Sequence, residues 1–147
     1  MEKIFVDTVY WIAAINPKDQ WAGVARVAKS QLGRQPLLVT TDEVLAEVLA
    51  AFSGKGKQLG REEGMRLRRT TIAAVREIRS NSNIEVVPQS RDSFDQGLEL
   101  YEDRADKDYS LTDCISMNTM KAHSIQKVLT SDHHFEQEEF TVLMKED

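Results

Sequence analysis

A chain of 147 residues, 41% hydrophobic and 29% charged, has the size and balance of one globular domain and leaves no room for two of ordinary size. No apolar run approaches the roughly 18 residues that cross a bilayer. The opening stretch Met1-Glu-Lys-Ile-Phe-Val-Asp7 enters an amphipathic pattern at once, so neither a membrane span nor a classical export signal is expected. The lone Cys114 excludes an internal disulfide and a cysteine-built zinc site, and fits a reducing cytoplasmic compartment. The net charge of -5 divides unevenly, as -1 over residues 1–54, +5 over 55–79 and -9 over 80–147. That division rules out a uniformly basic nucleic-acid binder, but not a protein with one cationic helix and an acidic pocket.

Short apolar runs alternate with longer amphipathic segments, the pattern of an α/β domain with a parallel sheet. Five strands are expected: Lys3 to Val6, Pro36 to Thr40, Ile84 to Val87, Gln126 to Thr130 and Phe140 to Leu143. Between the first two, Val9 to Ile15 reads as a helical turn or two, Asn16-Pro17 as a break, and Asp19 to Leu32 as a helix closed by Gly33. Asp42 can cap a helix to about Phe52, after which Ser53-Gly-Lys-Gly-Lys57 is a flexible stop. A long helix follows from about Arg61 to Arg79. Leu67, Ala74, Val75 and Ile78 share its packing side, while Arg61, Arg68, Arg69, Arg76 and Arg79 fall within an arc of about 100° elsewhere. Ser90 caps a helix to about Arg104, and Ser110 caps another to about Ala122. No repeat or linker divides the chain, so residues 1–147 are read as a single domain.

In an open parallel sheet, reactive groups gather beyond the carboxyl ends of the strands. Asp7 ends Ile4-Phe-Val-Asp-Thr8 and Asp132 ends Val128-Leu-Thr-Ser-Asp132. Either could simply stop a strand and cap the next helix, but two at equivalent positions suggest a site. Glu47 is the one polar side chain in Val44-Leu-Ala-Glu-Val-Leu-Ala-Ala-Phe52, a run expected to be enclosed by core, where an ionised carboxylate is costly unless paired or bound to a cation. The plainer alternative places it at the helix edge, reaching solvent. Glu43, near the helix start, reads as a surface residue favoured by the dipole. Asp113 completes a capping box with Ser110 and also shares a face with Met117 and Met120, which turns it inward. Four converging carboxylates would raise one another's pKa unless a cation neutralised them. An all-oxygen set selects a hard ion such as Mg2+ or Mn2+. Such a site supports in-line hydrolysis of a phosphodiester. Thr8 and Ser131, next to two of the acids, could hydrogen-bond carboxylates or ligating waters, or be plain turn residues.

Taken together, Phe5-Val-Asp7-Thr8, Thr41-Asp-Glu-Val-Leu-Ala-Glu47, Tyr109-Ser-Leu-Thr-Asp113-Cys-Ile-Ser116 and Leu129-Thr-Ser-Asp132-His-His-Phe135 resemble the PIN-domain nucleases, specifically the VapC-like toxins of bacterial toxin-antitoxin pairs. The resemblance spans nearly the whole chain. It implies a three-layer α/β/α sandwich with a central parallel sheet of about five strands. It also implies Mg2+- or Mn2+-dependent endoribonuclease activity, homodimers, a cognate antitoxin and cytoplasmic location. The family's acidic positions fall on Asp7, Glu47, Asp113 and Asp132, all intact. The chain departs from the pattern at His123-Ser124, where relatives tend to carry a glycine, and at Glu138-Glu139, where many carry Ala-Gly; both affect turns more than chemistry.

Other residues have simpler readings. Cys114 follows Asp113 but has no histidine placed to activate it, so it reads as a small buried hydrophobe. His133-His134 opens a loop after a strand and reads as a turn or cap, against contact with phosphate or metal. Asp106 and Asp108 read as solvated loop charges and are the runners-up for a metal site. The face bearing Arg61, Arg68, Arg69 and Arg76 either tracks an RNA backbone or keeps an exposed helix soluble. Tyr10, Trp11 and Trp21 are either core or an exposed aromatic surface for a dimer or antitoxin. Two competing functions remain at this level: a binding module whose acids receive a partner's arginine without turnover, and an RNA-processing nuclease with no antitoxin. A haloacid-dehalogenase-like phosphatase is excluded because Asp7-Thr8-Val9 lacks the second acid two residues on.

Overall fold

The computed structural model describes residues 1–146. Strands β1 (Lys3–Val6), β2 (Leu37–Thr41), β3 (Ile84–Val87), β4 (Lys127–Leu129) and β5 (Thr141–Val142) form one parallel sheet in the order β3-β2-β1-β4-β5. The unbroken apolar run Ile4-Phe-Val6 suits a strand covered on both faces, and β1 takes the central position with all three side chains fully buried. From β1 the chain winds outward through β2 to β3, then returns to add β4 and β5 on the opposite edge. The reversal falls between β1 and β4, whose carboxyl ends therefore flank a crevice.

Helices α1 (Thr8–Ile15), α2 (Ala22–Ser30), α3 (Asp42–Ser53), α4 (Gly56–Leu59) and α5 (Arg61–Ser80) pack largely among themselves. Helix α6 (Arg91–Asp103) packs on α7 (Leu111–Ala122), and the short α8 (His134–Gln137) leads into β5. These helices flank the sheet in the α/β/α arrangement the motifs implied. Phe5, Phe52, Phe135, Met117 and Met120 are among the largest fully buried side chains, and truncating one such phenylalanine to alanine would cost about 3–5 kcal/mol. Tyr10 and Trp11 belong to this core, and Trp21 packs half-buried against it.

Several local expectations are corrected. Thr41, not Asp42, caps α3, its hydroxyl accepting from Val44 N at 3.1 Å. Asp42 instead accepts from Gln89 N at 3.0 Å, tying the β3–α6 connection to α3. The run around Glu47 is not enclosed, since Ala46, Leu49, Ala50 and Ala51 face solvent while Val44, Leu45, Val48 and Phe52 are buried. Alanines and a single leucine tolerate water at little cost, so an apolar stretch does not by itself prove burial on all sides. Part of the expected stop after Ser53 is the helical turn α4. Strands β4 and β5 are shorter than expected, although bonds from Thr141 N to Gln126 O, Leu143 N to Val128 O and Met144 N to Thr130 O tie the flanking residues along the same edge. Ser124 (φ 56°) and Glu139 (φ 70°) adopt the left-handed conformation that glycine favours, at the two turns where this chain departs from the family pattern.

Candidate active site

Asp7 follows β1 and stands at the N-cap of α1, yet its side chain makes no capping bond. It is only 4% exposed, and Thr130 Oγ1 donates to its Oδ2 at 2.8 Å. Register brings these two together. Val6 pairs with Leu129 and Asp7 N donates to Leu129 O at 3.1 Å, so the next residue beyond each strand meets its counterpart. The same hydroxyl accepts from Asp132 N at 3.1 Å, so Thr130 joins the two strand ends that carry acids. Burial, reinforced by the charges on Asp113 and Glu47 and opposed by the Thr130 bond, pushes the Asp7 carboxyl up to about 7.

Glu47 sits half-buried on α3 and accepts the Thr8 hydroxyl, the carboxylate contact that was one of the two readings of Thr8. Its carboxyl is raised chiefly by burial, with the charges of Asp113 and Asp132 adding to the effect and the Thr8 bond opposing it. Asp113 does both things its sequence context suggested. Its Oδ2 accepts from Ser110 N at 3.0 Å while its own N donates to Ser110 Oγ at 3.0 Å, and it remains within electrostatic reach of the other acids. Burial first, then Asp132, raises its pKa against the Ser110 amide. Asp132 also keeps its turn role, with Oδ1 accepting from His134 N at 2.9 Å. Four separate stretches of chain thus deliver carboxylates to the crevice where β1 and β4 diverge. Among the described residues, no lysine or arginine pairs with any of the four.

The tightest grouping is Asp113, Asp132 and His134, with one donor atom of each within 4.8 Å of the others. Asp7 and Glu47 stand around this group rather than within it. A buried carboxyl pushed up to about 7, neighbouring acids and, among the described residues, no guanidinium or ammonium paired with them make a donor set that fits a hard divalent cation.

Sequence reasoning missed three residues. Thr130, rather than Ser131, holds the carboxylate; Ser131 is half-buried and makes no side-chain hydrogen bond among the described residues. Choosing between them requires the β1/β4 register, which no local pattern displays. His134 belongs to the acid cluster, and the Asp132-His133-His134 spacing was the available hint. Glu138 was read as a turn residue, but its carboxylate is nearly buried and accepts from Arg104 Nε at 3.0 Å, Arg104 Nη2 at 3.1 Å and Tyr109 Oη at 2.8 Å. This clamp fastens the loop before α7 to the end of α8.

Other candidates fall away from the acids. Cys114 is buried, and its thiol is pushed up to about 11 by burial and the nearby Asp113 charge, so it is no nucleophile. Asp106 and Asp108 are exposed. Arg61, Arg68, Arg69 and Arg76 are exposed along α5, where Arg61 and Arg68 border a groove with Lys57. A cleft of about 530 Å³ lies beside the acids instead, lined by Gln89, Arg91, Phe94 and by Thr112, the neighbour of Asp113. The amino ends of α6 and α7 meet there, with Arg91 and the acidic Glu43 both on the cleft wall.

A parallel α/β sheet whose switch-point crevice is ringed by acids is the arrangement of a candidate metal-binding site. The PIN domain family model matches residues 4–140, and the chain belongs to that family. Among solved structures, VapC20 of Mycobacterium tuberculosis, described as a sarcin-ricin loop cleaving toxin, is 26% identical with a TM-score of 0.77, over 94% of this chain and 96% of that one. FitAcB from Neisseria gonorrhoeae shares the fold at 14% identity and a TM-score of 0.61, over 95% and 96% of the two chains. Comparison with curated proteins gives no significant match. No helix among the described residues is long and apolar enough to cross a membrane.

Proposed function

We propose that this chain is the endoribonuclease toxin of a toxin-antitoxin pair, acting as one nuclease domain in the cytoplasm. In this reading Asp7, Glu47, Asp113 and Asp132 hold Mg2+ or Mn2+. The single observation that carries it is Asp7: a buried carboxylate with a hydroxyl partner, acidic neighbours and no lysine or arginine among the described residues to pair with it. A bound divalent ion would supply Lewis acidity toward a phosphodiester oxygen and lower the pKa of water.

The chain's own groups do the rest. Thr130 and Thr8 hold the Asp7 and Glu47 carboxylates in place, so little reorganisation is needed when the ion and phosphate arrive. Ser110 fixes Asp113 through the capping box. Arg91 and the helix amino ends of the adjoining cleft orient the phosphate strand. The arginines 61, 68, 69 and 76 of α5 extend the contact along the RNA backbone, and the expected products are a 5'-phosphate and a 3'-hydroxyl. VapC20 cleaves a structured ribosomal loop according to its description, which makes a hairpin RNA the first substrate to try. A homodimer and a cognate antitoxin belong to the same reading.

The test is cleavage of end-labelled hairpin and unstructured RNA by the purified protein in Mn2+, Mg2+ and excess chelator, alongside Asp113→Asn, which retains a capping acceptor. Metal-dependent cutting lost in the variant is expected. Cutting that survives chelator, or tight RNA binding with no turnover in saturating Mn2+, would overturn the proposal, the latter in favour of a binding module.

A further inference from the structure

His134 stands where a turn residue was expected, but its imidazole faces the acids. Nδ1 lies 3.1 Å from Asp132 Oδ1 and 3.9 Å from Asp113 Oδ2. That nitrogen is shut off from solvent, and at 3.1 Å from Asp132 its geometry still makes no hydrogen bond. A buried imidazole nitrogen that faces two carboxylates without a hydrogen bond to either is unusual, and is placed to share a bound cation with them.

The spacing identifies the kind of partner. Ligand atoms about 2.1 Å from a shared six-coordinate ion lie about 3 Å apart in neighbouring positions and about 4.2 Å apart across it. The Nδ1–Asp132 and Nδ1–Asp113 separations fall within that span. The ring is also held. His134 N donates to Asp132 Oδ1 at 2.9 Å, which sets carboxylate and imidazole on the same side of the turn. Tyr109 meets the ring edge-on with centroids 5.5 Å apart, and its hydroxyl is anchored on Glu138, itself gripped by Arg104.

We propose that His134 supplies a nitrogen ligand through Nδ1, alongside Asp113 and Asp132. The site is then a mixed nitrogen-oxygen site rather than an all-carboxylate one. Among first-row ions Mn2+ gains least from an imidazole, but the harder Mg2+ gains less still, so this chain prefers Mn2+ to Mg2+ by more than its carboxylates alone would give. The proposal rests on reading the acids as a metal site, and its test separates the two.

The full chain is loaded with Mn2+ and examined by pulsed electron paramagnetic resonance for nitrogen coupling, with and without 15N-histidine labelling; calorimetry gives Mn2+ and Mg2+ affinities. The expected result is a histidine-nitrogen coupling that persists in His133→Ala and disappears in His134→Ala. In His134→Ala, Mn2+ affinity should fall by at least the roughly 10- to 100-fold that loss of even an outer-shell partner causes, and Mg2+ affinity should change much less. Bound Mn2+ without nitrogen coupling in the wild-type protein overturns the role of His134 and leaves the carboxylate site standing. No Mn2+ binding at all overturns both. The wild-type spectrum decides the matter even if His134→Ala folds poorly, and His134→Gln, close in shape but without the imidazole, then serves as the second variant.

Discussion

Replacing Asp7 with asparagine should make the metal-free protein more stable while abolishing cleavage. The Asp7 carboxyl is raised from an ordinary 3.8 to about 7, chiefly by burial. At 1.36 kcal/mol per unit, that shift opposes ionisation in the folded state by about 4 kcal/mol. Between pH 3.8 and 7 the folded protein holds a proton that the unfolded chain has released. Wild-type stability therefore falls as pH rises through that window and is level above it. Asparagine keeps the size of the side chain and can still accept the Thr130 hydroxyl, but carries no charge to bury. In chelator at pH 8 the variant should be more stable by about 2–4 kcal/mol, or roughly 5–10 °C in Tm for a chain of this length. At pH 4 the difference should nearly vanish. Saturating Mn2+ should reverse the order, because binding to the native state stabilises the wild type by mass action and the variant has lost a ligand. Urea unfolding of both proteins at pH 4, 6 and 8, with chelator and with Mn2+, measures all of this. A variant equal to or weaker than wild type at pH 8 in chelator, or a gap that does not change with pH, would refute the argument that a buried unpaired charge is held there.

Three further outcomes follow from particular contacts. Glu138→Gln removes the charge that Arg104 grips; the Arg104 bonds hold the Glu138 carboxyl below its ordinary 4.5 against the effect of burial. The stabilisation is thus complete above about pH 4.5 and is lost as pH falls through the native value. With Arg104 partly solvated, the substitution should destabilise modestly at pH 7 and by progressively less as pH falls below 4.5, read by urea unfolding. Gly97 lets α6 approach α7, and an added Cβ would lie 2.6 Å from Ile115 Cγ1. Gly97→Ala should therefore destabilise by about 1–2 kcal/mol net of its better helix propensity, measured by thermal unfolding. Ser124→Gly and Glu139→Gly relieve left-handed backbone at two exposed positions, and each should raise stability by about 1 kcal/mol, seen as a higher Tm with unchanged RNA cleavage.

Much of the fold is legible because its signals are local. Ile4-Phe-Val6 announces a doubly covered strand through composition alone. Ser90 and Ser110 announce helix starts through capping chemistry that lies within three residues of each. The four acids could be proposed as candidates because strand ends and a helix start mark where side chains reach toward a common crevice. Glu47 was named for a partly mistaken reason, since its helix is open to solvent along the side bearing Leu49 and Ala50, and it reaches the site from an edge.

What no local pattern carried is register and distance. Thr130 rather than Ser131 meets Asp7 because β1 and β4, more than 120 residues apart in sequence, pair with Val6 opposite Leu129. His134 joins the carboxylates, and Glu138 locks to Arg104 and Tyr109, only once α8 folds back against the start of α7. Periodicity, caps and charge are properties of neighbouring residues, so the chain by itself determined the strands and most helices and marked the acids as candidates. The pKa of Asp7, the partner of each carboxylate and the place of the imidazole depend on burial and on contacts between distant segments, and these only the packed molecule decided.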